Sequence, residues 1–66
     1  MIITVIAIHK NNLQEEYRNV TLLSLRRELV EDIVYIEGET KSLGTWSMSF
    51  NKIPLEQLNT ISVFVE

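Results

Sequence analysis

The stretch "VTLLSLRRELVED", residues 20–32, decides between two folds. At helical period, Leu22, Leu25 and Leu29 share one face, Leu23 and Val30 widen it, and Arg27 with Glu31 forms an i,i+4 pair. At period two, Leu23, Leu25 and Leu29 share a face that Arg27 interrupts, while Val20 and Leu22 fall on the other side. The helical pattern is slightly better. Against it, Arg26 would sit inside the apolar stripe, Val20 and Thr21 favour extended backbone, and no Gly or Asn stops a helix before the next segment. The balance favours a strand over 20–27, with a helix over 20–32 as the alternative.

Outward from this stretch the signals are mostly β. Ile2–Ile8 is a continuous run of largely β-branched residues, the pattern of a centrally placed, buried strand. His9–Asn19 is polar and reads as a long connection: Lys10-Asn11-Asn12 supplies a turn, and Leu13 with Tyr17, four apart, pins a short helical turn on the core. Ile33–Thr40 alternates, with Ile33, Tyr35 and Glu37 on one side and Val34, Ile36 and Gly38 on the other. Lys41–Gly44 links it to the cleanest alternation in the chain, Thr45–Phe50, which predicts Trp46, Met48 and Phe50 inward and Ser47 and Ser49 outward. Pro54 opens a single helical turn that seats Leu55 and Leu58 on the core, and Asn59 stops it. Thr60–Glu66 is a last strand with Ile61, Val63 and Val65 facing one way and Phe64 the other.

Five short strands with a helical turn before the last resemble the order of SH3-like small barrels. The likeness is one of topology, because the acidic loop and paired aromatics that grip proline-rich ligands in that superfold are missing here. The expected fold is therefore all-β, a small five-stranded antiparallel sheet or SH3-like barrel spanning 1–66 as one domain. The alternative is α+β, one helix at 20–32 packed on a four-stranded sheet. An open sheet of this size leaves edges that invite another chain, so a homodimer is a natural expectation.

Composition narrows the function. Of the 66 residues 45% are hydrophobic, with eight Ile, eight Leu and six Val, too many for a disordered segment. With no Cys there is neither a disulfide framework nor a thiolate zinc site, and a lone His9 cannot complete a zinc set without carboxylates. Neither metal nor cofactor is expected. No Gly-rich phosphate loop follows a strand, no Ser lies in a nucleophile elbow, and only His9 offers an imidazole base, so no catalytic residue is assigned and an enzyme is not expected. Glu37 and Glu39 lie about 7 Å apart on one strand face, but such a pair is usually solvated, and a chain this short has no cleft to desolvate it. The run Met1–Ile8, interrupted by Thr4, is far shorter than the roughly 20 residues of a membrane span and lacks the basic flank of a secretory signal, so a cytoplasmic protein is expected.

A net charge of −3 disfavours phosphate backbones, and the six basic residues are scattered through the sequence. Acids gather instead at Glu28, Glu31, Asp32, Glu37 and Glu39. These features point to a non-enzymatic protein-interaction module or small regulatory protein that binds a protein partner or itself, with no small-molecule substrate. Its size and Ile/Asn/Glu-rich composition look like the short accessory or prophage-encoded proteins of bacteria. The candidate interface residues are Trp46, as a rim hot spot, and the charged set Arg26, Arg27, Glu28, Glu31 and Asp32. A nucleic-acid-binding small barrel and an acidic inhibitor of a nucleic-acid-handling enzyme are the alternatives.

Overall fold

The decisive stretch is extended. In the computed structural model, which describes residues 1–66, five antiparallel strands form one open sheet: β1 (Ile3–His9), β2 (Gln14–Glu28), β3 (Glu31–Ser42), β4 (Thr45–Pro54) and β5 (Leu58–Val65). A 3-10 turn, Leu55–Gln57, precedes β5, and there is no α-helix. The helical alternative over 20–32 is thereby overturned, because each residue from Leu22 to Glu28 has a partner on β3, and ladder bonds outweigh a marginal helical periodicity.

The strands run in the order β4-β3-β2-β1-β5. β2 does the work of two strands, since Gln14–Tyr17 pairs with β1 and Arg18 onward pairs with β3. Between Arg18 and Leu22 the register slips, and Asn19 adopts φ 50°, a left-handed conformation that Asn tolerates. At this bend β2 passes so close to Gly38 that a Cβ there would lie 3.1 Å from both the Arg18 carbonyl oxygen and Val20 Cγ2. The expectation of a long connection over His9–Asn19 is corrected accordingly. Only Lys10–Leu13 turns, and Tyr17, expected on a helical turn, is a strand residue buried completely.

The bend folds the sheet back on itself. Val5, Ala7 and Tyr17 from one half meet Val34, Ile36 and Ile53 from the other, with Val20 and Leu58 completing the core. β4 and β5 are not bonded to one another, so the sheet stays open rather than closing into a barrel. Two-residue hairpin turns join β2 to β3 at Leu29-Val30 and β3 to β4 at Leu43-Gly44. Leu29 (φ 54°), Leu43 (φ 53°) and Gly44 (φ 81°) take the positive φ that such turns demand. Of the two leucines after Pro54, only Leu58 enters the core; Leu55 is exposed because it belongs to the turn and not to the ladder.

The largest departure from the sequence reading is in β4, whose sense is reversed. Ile53 pairs with Val34 and Asn51 with Ile36, so Ser49, Asn51 and Ile53 face the core. Trp46, Met48 and Phe50 face outward, opposite Lys41, Glu39 and Glu37. The cause lies across the core in Tyr17. It is fully buried in the other half of the sheet, and its hydroxyl accepts a hydrogen bond from Asn51 Nδ2 at 2.6 Å, a partner that an inward Phe could not provide.

Candidate functional site

Because β4 is reversed, its apolar row belongs to the outer face of β2, β3 and β4. Met48 is 60% exposed and Phe50 49%, while Trp46 is half-buried beneath the Arg18 side chain. The Arg18 guanidinium carbon lies 3.6 Å from the Trp46 ring centroid, a cation–π contact. The same guanidinium reaches Glu39 Oε1 at 3.7 Å with Nη2, and its Nε is buried without a partner. Strand alternation places Arg18 on the outer face while Tyr17, its neighbour, points into the core, and pairing with Glu39 brings Arg18 beside Trp46.

Further along the same face, Tyr35 is covered by charged and aromatic neighbours. Phe50 meets it edge-on at 5.8 Å and 70°, and Arg26 and Lys52 lie over its ring at 4.9 and 5.5 Å. Its hydroxyl donates to Glu28 Oε1. Between the two clusters, Glu37 accepts from Thr21 Oγ1 at 2.7 Å and Glu39 accepts from Asn19 Nδ2 at 2.8 Å. Pairing puts Arg18, Arg26, Lys41 and Lys52 on this face together with Glu28, Glu31, Glu37 and Glu39. Four cations stand among these four carboxylates, with exposed Glu16 a fifth acid further along β2, so the face carries both signs of charge.

The residues singled out from sequence do not form one cluster. Trp46 sits beside Lys41 near the β3–β4 turn, whereas Arg26 and Glu28 sit with Tyr35 near the β2–β3 turn. Eight residues of β3 separate the two positions, about 26 Å by strand rise. Arg27 pairs with Asp32 at 3.4 Å on the opposite face, and Glu31 flanks the β2–β3 turn on the outer side. Of the clustered acids only Asp32 leaves the outer face, and Glu39 and Asp32 are paired in place with Arg18 and Arg27. Arg18, Tyr35, Met48 and Phe50 are the site residues that sequence reasoning missed. Arg18 had no local signal, because its partner on β4 is far along the chain and is set by the pairing with Glu39.

Other clusters are modest. His9 Nε2 lies 2.5 Å from Glu15 Oε1 beside an open polar hollow of about 280 Å³ lined by Lys10, Asn11, Glu56 and Gln57. A second hollow, about 300 Å³, lies between the β2–β3 turn and the 3-10 turn. No three His, Asp or Glu side chains converge as a metal ion would require. Within the core, burial pushes the Tyr17 phenol above its ordinary 10.0; the nearby Glu15 adds to this and the Asn51 hydrogen bond opposes it. No helix is long and apolar enough to cross a membrane. Comparison with family models, curated proteins and solved structures finds no match to this chain.

Proposed function

We propose that the chain is a non-enzymatic protein-interaction module that docks a protein partner on the outer face of β2–β3–β4. The observation that carries this reading is the reversed sense of β4: Trp46, Met48 and Phe50 stand on the solvent side while Ser49 and Asn51 occupy the core side. Half-exposed aromatic and Met side chains with Arg at their margin are the composition of an interface centre. The partner surface that fits has an apolar middle and both signs of charge at its rim, because the face itself carries both signs. Glu37 and Glu39 border the aromatic row, which weakens the nucleic-acid reading: carboxylates there oppose a phosphate backbone. Four of the five clustered acids share the docking face, but Arg18, Arg26, Lys41 and Lys52 stand among them, which weakens the reading as an acidic inhibitor. Cytoplasmic location and a bacterial or phage source remain part of the proposal, supported by the absence of Cys and by composition.

A photo-crosslinking side chain at Met48, introduced in the producing cell, tests the reading. One dominant protein adduct, lost when Trp46 or Phe50 is changed to Ser and absent with the probe at the exposed turn residue Leu43, is the expected result. Identical adducts from Met48 and Leu43, or nucleic acid as the adduct, would overturn it.

A further inference from the structure

β5 is the terminal strand of the sheet, and beyond a bulge at its start its free edge has neither charge nor proline to protect it. Leu58–Val65 contains no Lys, Arg, Asp, Glu or Pro, whereas β4, the other edge strand, carries Lys52 and Pro54. Val63 is 49% exposed, Phe64 52% and Val65 60%, so apolar side chains flank the edge on both faces of the sheet. A bulge at Ile8/His9 disturbs the start of the strand and leaves Thr60–Val65 regular.

The ladder with β1 fixes which backbone groups face outward. Ile2 and Glu66 exchange both of their N–H···O bonds, at 2.9 Å each. Hydrogen-bonded and non-hydrogen-bonded pairs alternate in an antiparallel ladder, so Phe64/Thr4 and Ser62/Ile6 are also bonded pairs. It follows that Val65, Val63 and Ile61 point their N–H and C=O groups away from β1, at the open edge.

We propose that this edge pairs antiparallel with β5 of a second copy of the chain, about a two-fold axis at Val63. In that register Val63 meets its own copy, and Ile61 meets Val65 of the other. All three outward-facing residues are then used twice, giving six backbone hydrogen bonds. Shifting the axis to Ser62 or Phe64 leaves fewer, because the partner of Val65 or of Ile61 falls in the bulge or beyond Glu66. The side chains agree with the same register. Apolar residues meet apolar on the core side, Phe64 lies over the small Ser62 of the partner copy on the other, and Glu66 faces Thr60 rather than another acid. A chain of net charge −3 pairs with itself most readily through a segment that carries no charge, and β5 is that segment. The result is a continuous ten-stranded sheet with the two Trp46 faces at its far ends.

Light scattering or sedimentation equilibrium across the micromolar to millimolar range tests this, with circular dichroism as a check on folding. Wild type is expected to move from 7.7 kDa to twice that mass. Val65→Pro removes an outward N–H and no bond to β1, so it should stay folded and become monomeric. Val63→Lys and Val63→Glu place like charges together on the axis and should each be monomeric alone, while an equimolar mixture should recover the dimer. A wild type that remains monomeric throughout, a dimer that survives Val65→Pro, or a mixture that fails to pair would each overturn the inference.

Discussion

Replacing Asn51 with Leu gives the most direct test of why β4 faces as it does. Tyr17 is fully buried, and Asn51 Nδ2, 2.6 Å from its hydroxyl, is the partner the side chain finds on β4. A leucine at this position would add apolar volume but remove that hydrogen bond, leaving the hydroxyl only its neighbour Glu15, a loss of about 1–3 kcal/mol for a buried group that loses a partner. A core this small supplies no more than about 3–5 kcal/mol in all. The substitution therefore removes a large part of the stability, and a loss of about 2 kcal/mol would lower Tm by about 8–16 °C at this chain length. Changing Tyr17 to Phe in the same chain removes both polar groups and should restore much of the loss, because paired apolar replacement is close to neutral. Thermal and urea unfolding followed by far-ultraviolet circular dichroism would measure wild type, both single variants and the double variant. If Asn51→Leu unfolds like wild type, Asn51 faces solvent and the account of β4 is wrong. Additive single losses would also refute it, by showing that the two side chains do not act together.

Three further outcomes are expected. Tyr17 ionises with difficulty in the folded state, so its contribution is complete below about pH 10, the unfolded phenol value, and is lost as pH rises through the higher folded one; stability against pH should fall on the alkaline side in wild type and less steeply in Tyr17→Phe. Gly38→Ala drives a Cβ to 3.1 Å from the fixed Arg18 carbonyl and should destabilise by about 1–3 kcal/mol, seen as a lower urea midpoint at unchanged m. Leu43→Asn relieves a fully exposed residue held at φ 53° beside Gly44, and should raise stability by about 1 kcal/mol in the same assay.

Much of this architecture is legible in single strands. Ile2–Ile8, Ile33–Thr40 and Thr60–Val65 show β-branched enrichment, and Pro54 marks the end of β4 with the 3-10 turn after it. Those signals are local, since they reflect what each residue's own backbone prefers. The polar N-terminal half of β2 was hidden because Gln14, Glu15, Glu16 and Arg18 have no strand signature of their own, and their pairing with β1 and β3 alone makes them extended. The candidate site suffered most. A period-two pattern is unchanged when the strand is turned over, so Thr45–Phe50 announced an amphipathic strand without saying which side meets the core.

The chain's amino-acid order by itself determined that no cysteine chemistry holds the protein together and placed a helical turn before its last strand; it favoured an all-β fold, with the choice at residues 20–32 left to the pairing of β2 with β3. Tertiary structure alone decided three things: the bend at Asn19, the outward direction of Trp46, Met48 and Phe50, and the meeting of Arg18 with Trp46. Each depends on contacts between residues far apart in the chain. Tyr17 meets Asn51 on the core side of β4 and Arg18 meets Trp46 on the other, and no window of neighbouring residues contains either pair.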